Sequence, residues 1–220
     1  MSTLWTSEKI ADYHAFMAAF TANYKEKIDC ADLALVGLIE FAFENRLPVR
    51  LKYYKKGSWQ WYTSPTYESL DDATNPKLKA AAAKGGMAHA EELVAVEARN
   101  LAKKEQFKKL IKVNLGAENV IDNTRKIEPA EALSGDFLMT KRPNGQMGHT
   151  RVIYLMVPAF NPLNQQLDYL VSWYQGTYPP EVPEMRIDFL SNLVNGVEQG
   201  TNVPIVHEGK PRAWRFTNFE

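Results

Sequence analysis

Cys30 is the only cysteine of the chain. It stands between two aspartates at the mouth of an apolar run, "KIDCADLALVGLIEFAFEN". A cysteine attacks as the thiolate, and the partial positive charge of unpaired amides at a helix N-terminus favours that anion. The run reads as a helix with Asp29 as its N-cap, and Asp32, three residues on, completes a capping-box-like start. Cys30 is thereby expected in the first turn, where the thiol pKa is expected to fall. The position suits a plain role as well, because free cysteine is among the most buried residue types and an apolar helix houses it easily.

A nucleophilic thiol needs an imidazole that acts first as base and then as acid. Four histidines are available. His14 and His89 fall on helices among surface residues and His207 in a terminal loop, where solvated roles are expected. His149 directly follows Gly148 and opens an apolar strand, from whose end a side chain can project toward a helix N-terminus. Its plainer role is a half-buried strand histidine bonded to a backbone carbonyl. Capping accounts for Asp29 and Asp32, so no metal site is assigned, and no cofactor is expected. Gly85-Gly86 and the Gly196/Gly200 pair lack the Lys-Ser/Thr of a phosphate loop and read as breaks.

The elements that must position these residues follow from periodicity. Ile10, Tyr13, Phe16, Met17, Phe20 and Tyr24 recur at helical spacing over Ser7 to Lys25. The run from Cys30 to about Asn45 is apolar on nearly every side, as a helix buried in the middle of a domain should be. The segment "LPVRLKYYKKGSWQWYTSPTYESL" reads as a short strand followed by an aromatic loop around Trp59, Trp61 and Tyr62, a loop able to line a groove. Asn75 to Val113 is rich in Ala, Lys, Glu and Leu and predicts two helices broken at Gly85-Gly86. After Gly135 the character changes to strands. "DFLMT" is followed by a Pro-Asn-Gly turn, then by a strand with His149, Arg151, Ile153 and Leu155 on one face. "LDYLVSWYQ" is expected to pair antiparallel with it, placing Asp168, Leu170, Ser172 and Tyr174 together. Met185 to Asn195 suggests a short helix, and "RAWRF" a final strand or packed terminus. No repeat or linker divides residues 1–220, so one domain with a helical insertion at about 70–115 is the simplest organisation.

Composition narrows the function classes. Hydrophobic residues make up 45% of the 220, enough for a real core, and 26 basic residues balance 26 acidic ones. With no block of like charge, no nucleic-acid partner is expected. The apolar run at Ala31 to Phe43 is too short and too interrupted for the roughly 20 residues of a membrane span. No secretory signal is visible at the N-terminus. A lone cysteine excludes an internal disulfide.

Asp-Cys at the head of a buried helix, then Gly135, Asp136, Phe137 and Leu138, then Gly148 and His149 followed by Val152, Ile153 and Tyr154, resembles the papain-like cell-wall cysteine peptidases of the NlpC type. The resemblance covers these short patches and departs from the family at Ala31-Asp32, where a small Ser-Gly pair is usual, and in the long helical insertion. It implies an α+β fold in which a central buried helix packs on an antiparallel sheet, with Cys30 as nucleophile and His149 as base. It also implies a third polar residue on the next strand. Asp168 is the carboxylate there and is assigned that role on chemical grounds, with Ser172 or Gln175 the alternatives if the hairpin turns near Asn161 to Pro162. The Cys30 amide, with Asn23 or Tyr24, is a candidate oxyanion donor set.

The implied activity is cleavage of amide bonds in peptidoglycan stem peptides, as endopeptidase or amidase, through a thioester. Such a chain resembles the wall-degrading effectors that bacteria inject into rivals by type VI secretion. That resemblance implies a monomer made in the cytoplasm and exported to a target periplasm, with a secretion-machine component and an immunity protein as partners. Two alternatives stay open: a cysteine protease, deamidase or acyltransferase acting on protein or lipid, and a non-catalytic binding or immunity-type protein with Cys30 in its core.

Overall fold

A computed structural model describes residues 4–141, 148–177, 179–194, 206–207 and 210–219. The Pro-Asn-Gly turn and the Gly196/Gly200 pair lie outside them. The chain opens with two helices, α1 (Ser7–Asn23) and α2 (Cys30–Glu44), then a ribbon of β1 (Arg50–Lys55) and β2 (Ser58–Thr63). Helices α3 (Pro76–Ala82), α4 (Gly86–Asn114) and α5 (Ala117–Asp122) follow. The rest is mostly strand: β3 (Thr124–Lys126), β4 (Phe137–Lys141), β5 (His149–Asn161), β6 (Gln166–Gln175), β7 (Glu184–Phe189), the short α6 (Leu190–Val194), β8 (Val206–His207) and β9 (Arg212–Trp214). The sheet runs β3-β9-β4-β5-β6-β7, with β8 beside β4, and its pairings are antiparallel. The architecture is therefore α+β, as the residue pattern predicts.

Helix α2 is the centre. Its apolar side chains leave it no solvent face, and 11 of its 15 residues, Ala31 to Ile39 with Phe41 and Ala42, are buried. They share one core with Tyr13 and Met17 of α1, Phe137 and Met139 of β4, Val152 of β5, and the C-terminal Trp214, Phe216 and Phe219. Gly37 lets α1 come close, since a Cβ there would meet Met17 Sδ at 2.5 Å. The polar helix α4 is fixed onto α2 by charge: Glu40 takes Lys104 Nζ at 2.6 Å and Lys108 Nζ at 2.7 Å. Such shielded pairs hold position more than they add net stability.

The other face of the sheet carries a second, smaller core of Leu138, Ile153, Met156, Val171, Trp173 and Leu190. Alternation along the strands explains the division, because Phe137, Met139 and Val152 point to α2 while their neighbours Leu138 and Ile153 point away.

Four sequence expectations are corrected. Trp59, Trp61 and Tyr62 lie on a strand, β2, not in a loop. Residues 185–189 belong to β7, the edge strand paired antiparallel with β6, leaving the helix only at Leu190–Val194. A bulge between Ile153 and Leu155 shifts Leu155 out of the His149 face. His207 falls on β8, not in a loop.

Candidate functional site

Two glycines set the local backbone. A Cβ on Gly176, just past β6, would lie 2.3 Å from the Ile28 carbonyl oxygen and 2.4 Å from that of Asp29. The end of β6 thus packs directly on the residues that enter α2. Ile28 is further held by its amide on the Glu181 carbonyl at 3.0 Å. Gly148 lies as close to Thr140, which presses the start of β5 onto β4. These contacts bring the head of α2, the start of β5 and the end of β6 to one place.

Cys30 is the first residue of α2, and Asp29 caps the helix by accepting the Asp32 amide at 2.8 Å. The reciprocal half of the expected capping box is absent: Asp32 Oδ1 is buried without a partner, and Oδ2 faces Lys112 Nζ at 3.6 Å. The thiol is half-buried, with the backbone amides of Thr150, Ala31 and Cys30 itself favouring its anion. Its pKa nevertheless lies above the ordinary value, because burial outweighs those amides and the Asp29 carboxylate adds to the rise. The expected fall in thiol pKa is thereby corrected, and the resting group is the neutral thiol.

His149 heads β5, and its Nε2 lies 3.2 Å from Gln175 Oε1. The same oxygen accepts Arg151 Nε at 3.2 Å and Trp173 Nε1 at 3.0 Å. Gln175 and Arg151 are buried, and the Arg151 guanidinium also lies over the Trp173 ring at 5.8 Å. By strand alternation this network occupies the Trp173 side of the sheet, while Thr150, next to His149, faces α2. Cys30 and His149 therefore lie on the two sides of the start of β5, the thiol on the α2 side and the ring on Gln175.

Asp168 does not join them. It pairs with Ala159 near the opposite end of the long β5–β6 hairpin. There its carboxylate accepts Ser191 Oγ at 2.5 Å and Asn161 Nδ2 at 3.1 Å, as well as the amides of Ser191 and Tyr169. These donors hold its pKa below the usual carboxylate range despite partial burial. Asp168 ties α6 to the hairpin, and the residue that meets His149 is Gln175, one of the two alternatives. Ser172 pairs with Leu155, farther along the hairpin. Asn23 Nδ2 is spent on its own helix at Ala19 O, 2.8 Å away, and Tyr24 Oη turns to Glu26. The oxyanion donors available to Cys30 are therefore backbone amides. Arg151 and Trp173 are the members that sequence reasoning passed over; their place on alternate positions beside His149 and Gln175 was the available signal.

The geometry defines an α+β protein with a cysteine at the head of its central helix and a glutamine-held histidine on the neighbouring strand. No protein-family model matches the chain, and neither curated proteins nor solved structures give a match.

Proposed function

We propose that the protein is a papain-like cysteine hydrolase of the NlpC type, with Cys30 as nucleophile, His149 as base and Gln175 in place of Asp168 as the positioning residue. The observation that carries this reading is that the head of α2 with Cys30, the start of β5 with His149 and the end of β6 with Gln175 are packed together, the thiol and the imidazole lying on the two sides of β5. Because the resting thiol is neutral, this reading requires the imidazole to leave the Gln175 side of β5 and reach the side that bears Cys30, taking the thiol proton as sulfur attacks an amide carbonyl. That proton passes to the leaving amine, a thioester forms, and water then cleaves the thioester to acid and free thiol. The Cys30 and Ala31 amides at the helix head suit the oxyanion. Peptidoglycan stem peptides are the proposed substrate. Delivery into a rival cell, with a matching immunity protein in the producer, is the proposed setting.

Incubation of the protein with purified sacculi tests it: soluble muropeptides should appear, and both Cys30→Ala and His149→Ala should abolish release while keeping the native circular dichroism spectrum. A second reading, a binding protein in which Cys30 is structural, draws on the raised thiol pKa and on the placement of the thiol and the imidazole on two sides of β5. Undiminished biological activity in Cys30→Ala would select that reading and sink the hydrolase.

A further inference from the structure

The β1–β2 ribbon takes no part in the Cys30 site. It follows the far end of α2, whose 15 residues span about 22 Å. The chain as a whole carries no net charge. Residues 50–63 nevertheless hold Arg50, Lys52, Lys55 and Lys56 without a single carboxylate, together with Tyr53, Tyr54, Trp59, Trp61 and Tyr62.

The register opposes Lys52 to Trp61 and Tyr54 to Trp59, so one face reads as alternating cations and rings. On it the Arg50 guanidinium sits 4.4 Å from the Trp61 ring centre and Lys52 Nζ 4.8 Å from that of Trp59. On the opposite face Tyr53 and Tyr62 stack at 4.1 Å and pack against the main core, while the Lys52 amide reaches Asn123 Oδ1 at 2.8 Å. The base of the ribbon is thus anchored, and exposure rises toward its tip: Trp61 is 39% exposed, Trp59 51% and Tyr54 59%. At the turn Lys56 has φ 50° and Gly57 φ 80°, the two-residue geometry for which Asn-Gly is the usual choice. A lysine held there puts its cation, with that of Lys55, at the outermost point of the ribbon.

We propose that this tip docks on an anionic phospholipid surface. A projecting turn with lysines in front and indole and phenol rings behind matches the layering of such a surface, phosphates outermost and the headgroup–acyl boundary beneath. A single-stranded nucleic acid or a glycan would instead need open ring faces to stack on. Here each indole already has a cation over its ring.

The test is co-sedimentation and tryptophan emission of the full chain with vesicles of phosphatidylcholine alone and of phosphatidylcholine mixed with phosphatidylglycerol. Expected are at least roughly thirtyfold stronger partition to the anionic vesicles, a blue shift on binding and weakening by salt. The paired change Lys55→Gln and Lys56→Gln should lower that partition roughly thirtyfold, the contribution of two basic residues. Trp59→Ala should remove most of the blue shift, with unchanged circular dichroism in both variants. Cys30→Ala should bind as the parent does, so this proposal and the hydrolase reading stand or fall separately. Equal partition to both vesicle types would overturn the proposal, as would binding to poly(dT) or polygalacturonate with none to the anionic vesicles.

Discussion

Gln175 gathers three donors, from His149, Arg151 and Trp173, on one buried oxygen. That concentration makes it the most informative single residue of the site. Removing an acceptor from buried donors costs their desolvation, so Gln175→Ala should destabilise the protein by about 1–3 kcal/mol, measured by urea denaturation. If the imidazole acts as base, the same variant should also slow muropeptide release by about a hundredfold, since an unaimed base forfeits most of its contribution. Unchanged release alongside the stability loss would make Gln175 a structural residue only. The thiol offers an independent check. With its pKa raised by burial, Cys30 should react slowly with iodoacetamide at pH 7 and speed up only above the ordinary thiol range. A plateau already reached at neutral pH would mean that a thiolate exists at rest.

At the scale of elements, the site depends on how closely β6 is laid against the entrance to α2. Gly176→Ala forces a carbon to within 2.3 Å of a carbonyl oxygen, where backbone and not a flexible side chain must yield. The expected cost is about 1–3 kcal/mol. The displaced segment includes the Asp29 cap, so alkylation of native Cys30 should accelerate in the variant. Stability loss without faster alkylation would show that the strain relaxes elsewhere. The same elements show what the residues disclosed in advance. Helix α2 was legible because burial on every side leaves an unbroken apolar run, and the β5–β6 pairing because both strands alternate. Strand β2 was obscured because a Lys-Gly turn lacks the Asn-Gly signal and because aromatics point to both faces. The place of Asp168 was a matter of register. Once Asn161 pairs with Gln166, Asp168 falls opposite Ala159, ten positions along β5 from His149, and cannot reach the mouth of the hairpin; only the bulge near Ile153 was beyond counting.

For the whole molecule two buried carboxyls in the main body of the fold lead the pH response, opposed below pH 6.5 by His14, whose pKa burial lowers. Asp136 sits at the entry to β4, where its Oδ2 accepts the Leu133 amide at 2.9 Å and its Oδ1 has no partner. Burial raises its pKa to about 7, against the partial relief of that amide and of Arg125. Asp32 is likewise raised to about 7, first by burial and then by Asp29, with Lys112 opposing. In both cases the folded state holds a proton that the unfolded chain releases near the ordinary value of 3.8. Their contribution to stability is therefore greatest at low pH and is lost as pH rises from about 4 to 7, by about 1.4 kcal/mol per pH unit for each group fully in that window. Asp168 and Glu68, both lowered, act in the opposite direction only as pH falls through and below the ordinary carboxylate range. The thermal midpoint should accordingly be higher at pH 5 than at pH 7.5. Asp136→Asn keeps an acceptor for Leu133 without the charge, so it should raise the midpoint at pH 7.5 and flatten the pH profile. An unchanged profile in that variant would place the response on other groups and mean that Asp136 is ionised in the folded protein at no cost.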